Sequence, residues 1–426
     1  MIFHRIRSGD LSGCFCKTFW RIMPLVLSCY YCMYVNRVSL IFARPSVQSH
    51  LGFSDFDYSI AVIIYILAYA SFEVPSNLLL YKVGVRRWSG SVLALGLANM
   101  ATTFCTSKWQ FYEICALSGA LQAGFAPGII YYLALCFPRH CIGRIYAVLF
   151  IAPMLAVMSG GAISENIILK LHSVLGYTGW QWLFIINSAP CFLIGFLMMI
   201  VLKPEIDEPH PAINVEGVDS GRPFARRTEP WPLEDSPFGS QTAYVFTFGF
   251  VYFIIQASLY SLKYWRQDLS TPVNGFGNGT STLLEVTLGL IGSASMLLTG
   301  WLSDRRVGSV RIISVIICLA AAGYFAAAAF HNHLTSILLL LTESALLSVL
   351  PVFWALPPKI LAGAALATGV AVINTIGQLG GVFSGLMILY LQSMEATTMI
   401  ELCALGLLCL VCVPLMSFIS PALKGR

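Results

Sequence analysis

The 426-residue chain is poor in charge: 25 lysines and arginines, 20 acids and 7 histidines, with 11% charged residues. A soluble domain carries roughly 25%, so this chain lacks the polar surface to cover a soluble globule of its size. Its few acids and histidines never gather at catalytic or metal-ligand spacing, and it has no glycine-rich phosphate-binding loop. An enzyme is therefore not expected, nor a cofactor. Thirteen cysteines are scattered. Cys29-x-x-Cys32 and Cys409-x-x-Cys412 have metal-site spacing but sit in apolar runs without histidine, and read as small packing residues. The basic N-terminus leads straight into a full-length apolar run, so no cleavable signal peptide is expected.

What the chain does have is long apolar runs. Its mean hydropathy is +0.77 and 57% of its residues are hydrophobic. Twelve stretches are long enough for the about 20 residues that a bilayer crossing needs. They lie roughly at 20–42, 58–80, 88–106, 111–136, 144–168, 181–202, 241–264, 283–302, 311–330, 334–356, 362–391 and 398–420. A charged, proline-rich interruption divides them six and six. The expected fold is an all-α polytopic membrane protein of 12 transmembrane helices in two six-helix halves, 1–202 and 241–426, joined by a linker at 203–240.

Lysine and arginine orient the chain. With both termini inside, 19 of the 25 face the cytoplasm and 5 face out, and Arg37 remains within the membrane. A multi-pass cell-membrane protein with cytoplasmic termini is expected, a monomer in the lipid bilayer. The net charge of +5 follows from this loop bias and needs no nucleic acid.

Two cytoplasmic turns, six spans apart, share their punctuation. One carries Lys82, Gly84, Arg86 and Arg87. The other reads Gly300-Trp-Leu-Ser-Asp304-Arg305-Arg306-Val-Gly308. Glycine permits a tight turn, and Asp304 can pair with a cation or cap a neighbouring helix. A signature repeated at a six-span interval suggests a duplicated unit, the usual build of alternating-access carriers.

These loops resemble the signature motif of the major facilitator superfamily. Five further blocks are similar to its anion:cation symporter branch, the tartrate, sugar-acid, phthalate and allantoate-type permeases. They are Phe72-Glu-Val-Pro-Ser-Asn-Leu-Leu-Leu80, Ala123-Gly-Phe-Ala-Pro-Gly128, Gly179-Trp-Gln-Trp-Leu-Phe184, Phe353-Trp-Ala-Leu-Pro-Pro358 and Ile373-Asn-Thr-Ile-Gly-Gln-Leu-Gly-Gly381. The resemblance implies a major facilitator fold, gating by the two loops and a small organic anion as substrate, a sugar acid, dicarboxylate or aromatic acid.

The chain also departs from that pattern. Tyr34-Val-Asn36-Arg37-Val38 stands where the branch commonly reads Tyr-x-Asp-Arg-x-Asn, whose aspartate takes part in proton coupling and whose arginine meets the anion. Gln122 and Asn187 also replace frequent acids, Cys115 an arginine, and Tyr81 the acid of the first loop. An amide keeps the shape of an acid but releases no proton, which puts proton coupling in doubt. Arg37 fits its implied role, because a guanidinium within a span costs about 2.5–3.5 kcal/mol and needs a partner or a watery cavity. Snorkelling to the outer surface is its other reading.

Among the remaining acids, Glu343 is the candidate proton carrier, about ten residues into the tenth span. Glu73 is expected nearer the cytoplasmic end, paired with Lys82 or a loop arginine, and Glu165 near the outer mouth. Tyr34, Asn36, Arg37, Tyr65, Tyr69, Gln122, Trp354, Asn374 and Gln378 are the candidate substrate-binding residues. Tyr65 and Tyr69 share one helix face, as do Asn374 and Gln378. Three readings remain open: a symporter of an organic anion with a co-transported cation, an uncoupled facilitator of a neutral or zwitterionic solute, and a receptor-like paralogue that transports nothing.

Overall fold

A computed structural model describes residues 9–202, 238–269, 278–305, 308–330, 333–393 and 398–424. Most of the expected linker, and Arg306 of the second turn, lie outside the described residues. Within the bilayer an isolated strand or loop would leave backbone groups unsatisfied, and among the described residues the chain answers with helices throughout.

In the first half these are α1 (Gly9–Leu51), α2 (Asp55–Trp88), α3 (Gly90–Ala101), α4 (Lys108–Gln122), α5 (Phe125–Cys136), α6 (Ile142–Lys170) and α7 (Gly179–Val201). The second half holds α8 (Phe238–Leu269), α9 (Asn278–Ser303), α10 (Ser309–Ala329), α11 (His333–Trp354), the single turn α12 (Pro357–Ile360), α13 (Gly363–Ser393) and α14 (Thr398–Lys424). Ten described helices are long and apolar enough to cross a membrane, and two shorter apolar segments, Gly90–Phe104 and Gly289–Ser303, complete the twelve. The fourth crossing is broken at Ala123-Gly124 into α4 and α5.

The helix ends follow from local chemistry. Ser54 and Asp57 form a capping box at the start of α2, and Thr178 with Gln181 forms another at α7, each satisfying otherwise orphaned amides. Gly84 takes φ 79°, a conformation glycine adopts without strain, and there the end of α2 turns toward α3. Small residues set close crossings. A Cβ on Gly96 would lie 2.7 Å from the Phe192 amide nitrogen, and one on Gly195 2.6 Å from that of Leu93, so α3 and α7 touch backbone to backbone.

Within each half the packing is extensive: α2 on α4, α3 on α7 and α1 on α6 and α7, then α8 on α13 and α10 on α11 and α14. Between the halves, α6 packs on α9 and α11, while α13 packs on α2 and α5. The two halves meet around a central cavity.

Candidate functional site

The cavity holds about 120 Å3, roughly tenfold the 10–15 Å3 needed by one water. Tyr34, Arg37, Tyr69, Gln122, Glu343, Asn374 and Gln378 all line it. Helices α1, α2, α4, α11 and α13 thus bring seven of the sequence-expected residues to one place. Arg37 is the cation of this wall. Its guanidinium lies 5.4 Å from the centre of the Tyr69 ring, within the reach of a cation–π contact.

The other expected residues fall elsewhere. Trp354 is fully buried and packs edge-on against Tyr252, 5.0 Å between ring centres, so it supports the wall from behind. Tyr65 and Asn36 face a second, smaller cavity of about 20 Å3 inside the first half, which Arg37 and Gln122 also border.

The amides Asn36, Gln122 and Asn187 are engaged as donors. Asn36 Nδ2 donates to Asn187 O at 2.9 Å, to Cys32 O at 2.9 Å and to Cys191 Sγ at 3.1 Å, stitching α1 to α7. Asn187 Nδ2 returns a bond to Ser39 Oγ at 2.6 Å. Gln122 Nε2 donates to Met33 O at 2.8 Å while its Oε1 accepts from the Tyr65 hydroxyl. A carboxylate at position 36 or 122 would face these carbonyls with no hydrogen to give.

Glu73 differs from its expected setting. Among the described residues it meets neither Lys82 nor a loop arginine, and it is fully buried at the seam between the halves. Asn374 Nδ2 donates to its Oε1, and Thr375 Oγ1 donates to its Oε2 at 2.7 Å. The helix α2 extends past the expected end of the second span to Trp88, which leaves Glu73 well inside and beyond reach of the loop. Glu343 is also buried, on the α11 wall of the cavity. Glu165 is exposed.

Sequence reasoning missed one wall. Tyr252, Gln256 and Tyr260 of α8 line the cavity, as do Tyr30, Phe125 and Phe150. The i, i+4, i+8 spacing of the α8 residues puts them on one face, and that polar stripe in an apolar span was the available signal.

At the terminus-bearing face a second junction joins the halves. The Asp304 carboxylate accepts from the Gly143 amide at 2.9 Å, the Arg144 amide at 3.0 Å and Arg144 Nε at 2.8 Å. It caps the N-terminus of α6, where the helix dipole favours an anion, and forms an ion pair with Arg144. Burial lifts the Asp304 carboxyl above its ordinary value, and Arg144 with the two amides opposes that rise. Arg305 stacks over Trp301 at 3.5 Å. In the matching turn Arg86 Nε donates to Met199 O at 2.6 Å, while Lys82 and Arg87 are exposed, as is Gly308.

Gly300 makes the junction sterically possible. A Cβ there would lie 2.6 Å from Gly143 O and 2.8 Å from the Ala147 Cβ. Gly300→Ala should therefore wedge α6 from α9, and we expect transport to fall about tenfold, a cost of about 1.4 kcal/mol in forming this junction. Reconstituted uptake with normal membrane insertion checks this; unchanged uptake would show that the contact yields easily.

The sequence profile of the Major Facilitator Superfamily matches residues 26–385. The chain belongs to that superfamily. It is a multi-pass membrane transporter of a small molecule, not an enzyme. Relatives include a protein of Pseudomonas putida named for metabolite transport, NicT, 31% identical over 86% of this chain and 85% of its own. A protein of Agrobacterium vitis named for tartrate transport is 31% identical over 86% of this chain and 82% of its own. These relatives agree with the resemblance to the anion:cation symporter branch. Among solved structures, the human organic anion transporter MFSD10 superposes with a TM-score of 0.72 over 93% of this chain and 99% of that one. At 14% identity it bears on the fold alone.

Proposed function

We propose that this transporter carries a small organic carboxylate by alternating access, with Arg37 as the partner of the anion. The observation that carries the reading is the placement of Arg37: a single guanidinium, over the Tyr69 ring, in a cavity shared by both halves. Its planar fork suits a carboxylate. The names of the relatives, metabolite and tartrate transport, point the same way. Positive-inside bias supports placing both termini, and hence the Asp304 junction, on the cytoplasmic face of the cell membrane. The junction then holds the cytoplasmic side closed in this arrangement.

Within the carboxylates, the lining favours a flat aromatic acid. Tyr30, Tyr34, Tyr69, Phe125, Phe150, Tyr252 and Tyr260 surround the cavity, and ring faces recognise planar groups by stacking. Gln122, Gln256, Asn374 and Gln378 supply hydrogen bonds for ring substituents. A zwitterion is the second reading, because Glu343 stands on the α11 wall of the same cavity.

Counterflow in proteoliposomes tests both, using labelled 3,4-dihydroxybenzoate, tartrate, gluconate and phenylalanine with protein-free vesicles as blanks. We expect the dihydroxybenzoate to exchange fastest, by about tenfold over tartrate if stacking contributes about 1.4 kcal/mol. Exchange of phenylalanine alone would replace the anion reading with the zwitterion. No exchange of any compound would favour a receptor-like protein.

A further inference from the structure

An anion moving into a negative interior works against about 2.3 kcal/mol per charge per 100 mV. Positions 36 and 122 hold amides here, and neither can bring a proton along. Glu73 can. Resting on the carrier reading above, we propose that Glu73 is the proton-binding group that couples anion transport, taking the place of the acids this chain lacks at 36 and 122.

Three observations support the assignment. First, Glu73 is fully buried at the seam, where an ionised carboxylate is costly unless paired and hydrogen-bonded. If position 73 served only to tie α2 to α13, glutamine would bond Asn374 and Thr375 without that cost. Asn36, Gln122 and Asn187 show that amides serve such stitching in this chain. What the acid adds is a proton site.

Second, its two oxygens both bond across to the other half. A proton on Oε2 makes that oxygen a donor and obliges Thr375 Oγ1 to accept instead, so occupancy changes a contact that holds α2 on α13. Such a contact is the kind of element that alternating access must break and remake.

Third, Arg37 acts electrostatically on Glu73 and also lines the substrate cavity. Tyr69 on its own helix and Tyr252 of α8 also act electrostatically with Glu73. An anion that pairs with Arg37 cancels the positive charge that Glu73 feels. Anion and proton binding then favour one another, and the effect is reciprocal. One monoanion and one proton cross together, the net charge moved is zero, and the membrane potential does not oppose uptake.

The test uses the full-length chain in proteoliposomes with labelled 3,4-dihydroxybenzoate. Wild type should accumulate it about tenfold for each pH unit of inward proton gradient if one proton accompanies each anion. Glu73→Gln should reduce this to equilibration while counterflow falls far less. Glu73→Asp, which keeps the titratable group, should retain part of the accumulation.

Accumulation by Glu73→Gln at the wild-type level overturns the proposal. So does its loss in Glu343→Gln only, which would assign the proton to Glu343. Loss of counterflow and accumulation together in both position-73 variants would make the residue structural. Counterflow without any proton-driven accumulation in the wild type would also overturn it, while leaving the carrier reading intact.

If no acid exchanges at all, the carrier reading fails and Glu73 is judged without substrate. Hydrogen exchange in α2 and α13, corrected for the intrinsic effect of pH, should then differ between acidic and neutral buffer in the wild type but not in Glu73→Gln. The same difference in both proteins would overturn the proposal.

Discussion

Arg37→Lys should lose most transport, about ten- to a hundredfold, because one charge-assisted hydrogen bond of the fork is worth about 1.5–3 kcal/mol. Lysine keeps the charge but offers a point ammonium in place of a planar pair of donors. It also gives up the flat face that Arg37 presents to Tyr69, 5.4 Å away. Arg37→Ala should do at least as much harm. Surface expression should stay normal in both, since lysine carries the same intramembrane charge as arginine and alanine removes it, which eases insertion. The measurement is initial uptake of the acid found active in counterflow, normalised to protein in the membrane. Wild-type uptake by the alanine variant would reduce Arg37 to a snorkelling anchor and remove the basis for an anionic substrate.

The second large effect is expected at the junction of the halves. Asp304 accepts three hydrogen bonds, two from amides at the start of α6 and one from the Arg144 guanidinium. Asp304→Ala strands those donors and leaves the helix end uncapped. Truncating one side of such a pair costs about 2–5 kcal/mol. Arg144 is partly exposed and water will recover some of that, so we expect about 2 kcal/mol, or roughly 30-fold, against the arrangement closed on this face. Transport should fall accordingly. The Gly143 and Arg144 amides, protected in the wild type by Asp304, should exchange hydrogen faster. Unchanged exchange at those two amides would show that the junction does not hold this face closed. Gly300→Ala attacks the same junction by steric means and should give a milder version of the same result.

Membrane class and the number of apolar spans were legible in the sequence because hydrophobic run length is a one-dimensional property set by bilayer thickness. The two signature turns were legible for a similar reason: glycine and clustered cations at a chain reversal act locally. The cavity was partly legible. Arg37, Tyr34 and Tyr69 stand out as polar or amphipathic groups in apolar helices, as do Asn374 and Gln378, and such groups seek a cavity or a partner. Trp354 has the same character and the structure places it behind the wall, because helix rotation is set by packing that periodicity does not record.

Glu73 marks the boundary of what the chain alone determined. Its position near the end of the second span suggested a loop cation, the nearest partner in sequence. Its actual partners, Asn374 and Thr375, are about 300 residues away and belong to the other half. By itself the sequence determined that the chain crosses the membrane many times and belongs to the Major Facilitator Superfamily. Only the tertiary structure decided which polar groups meet. Hydrogen-bond partners of buried groups are chosen by which helix faces come together across the seam, and that follows from the packing of the whole bundle.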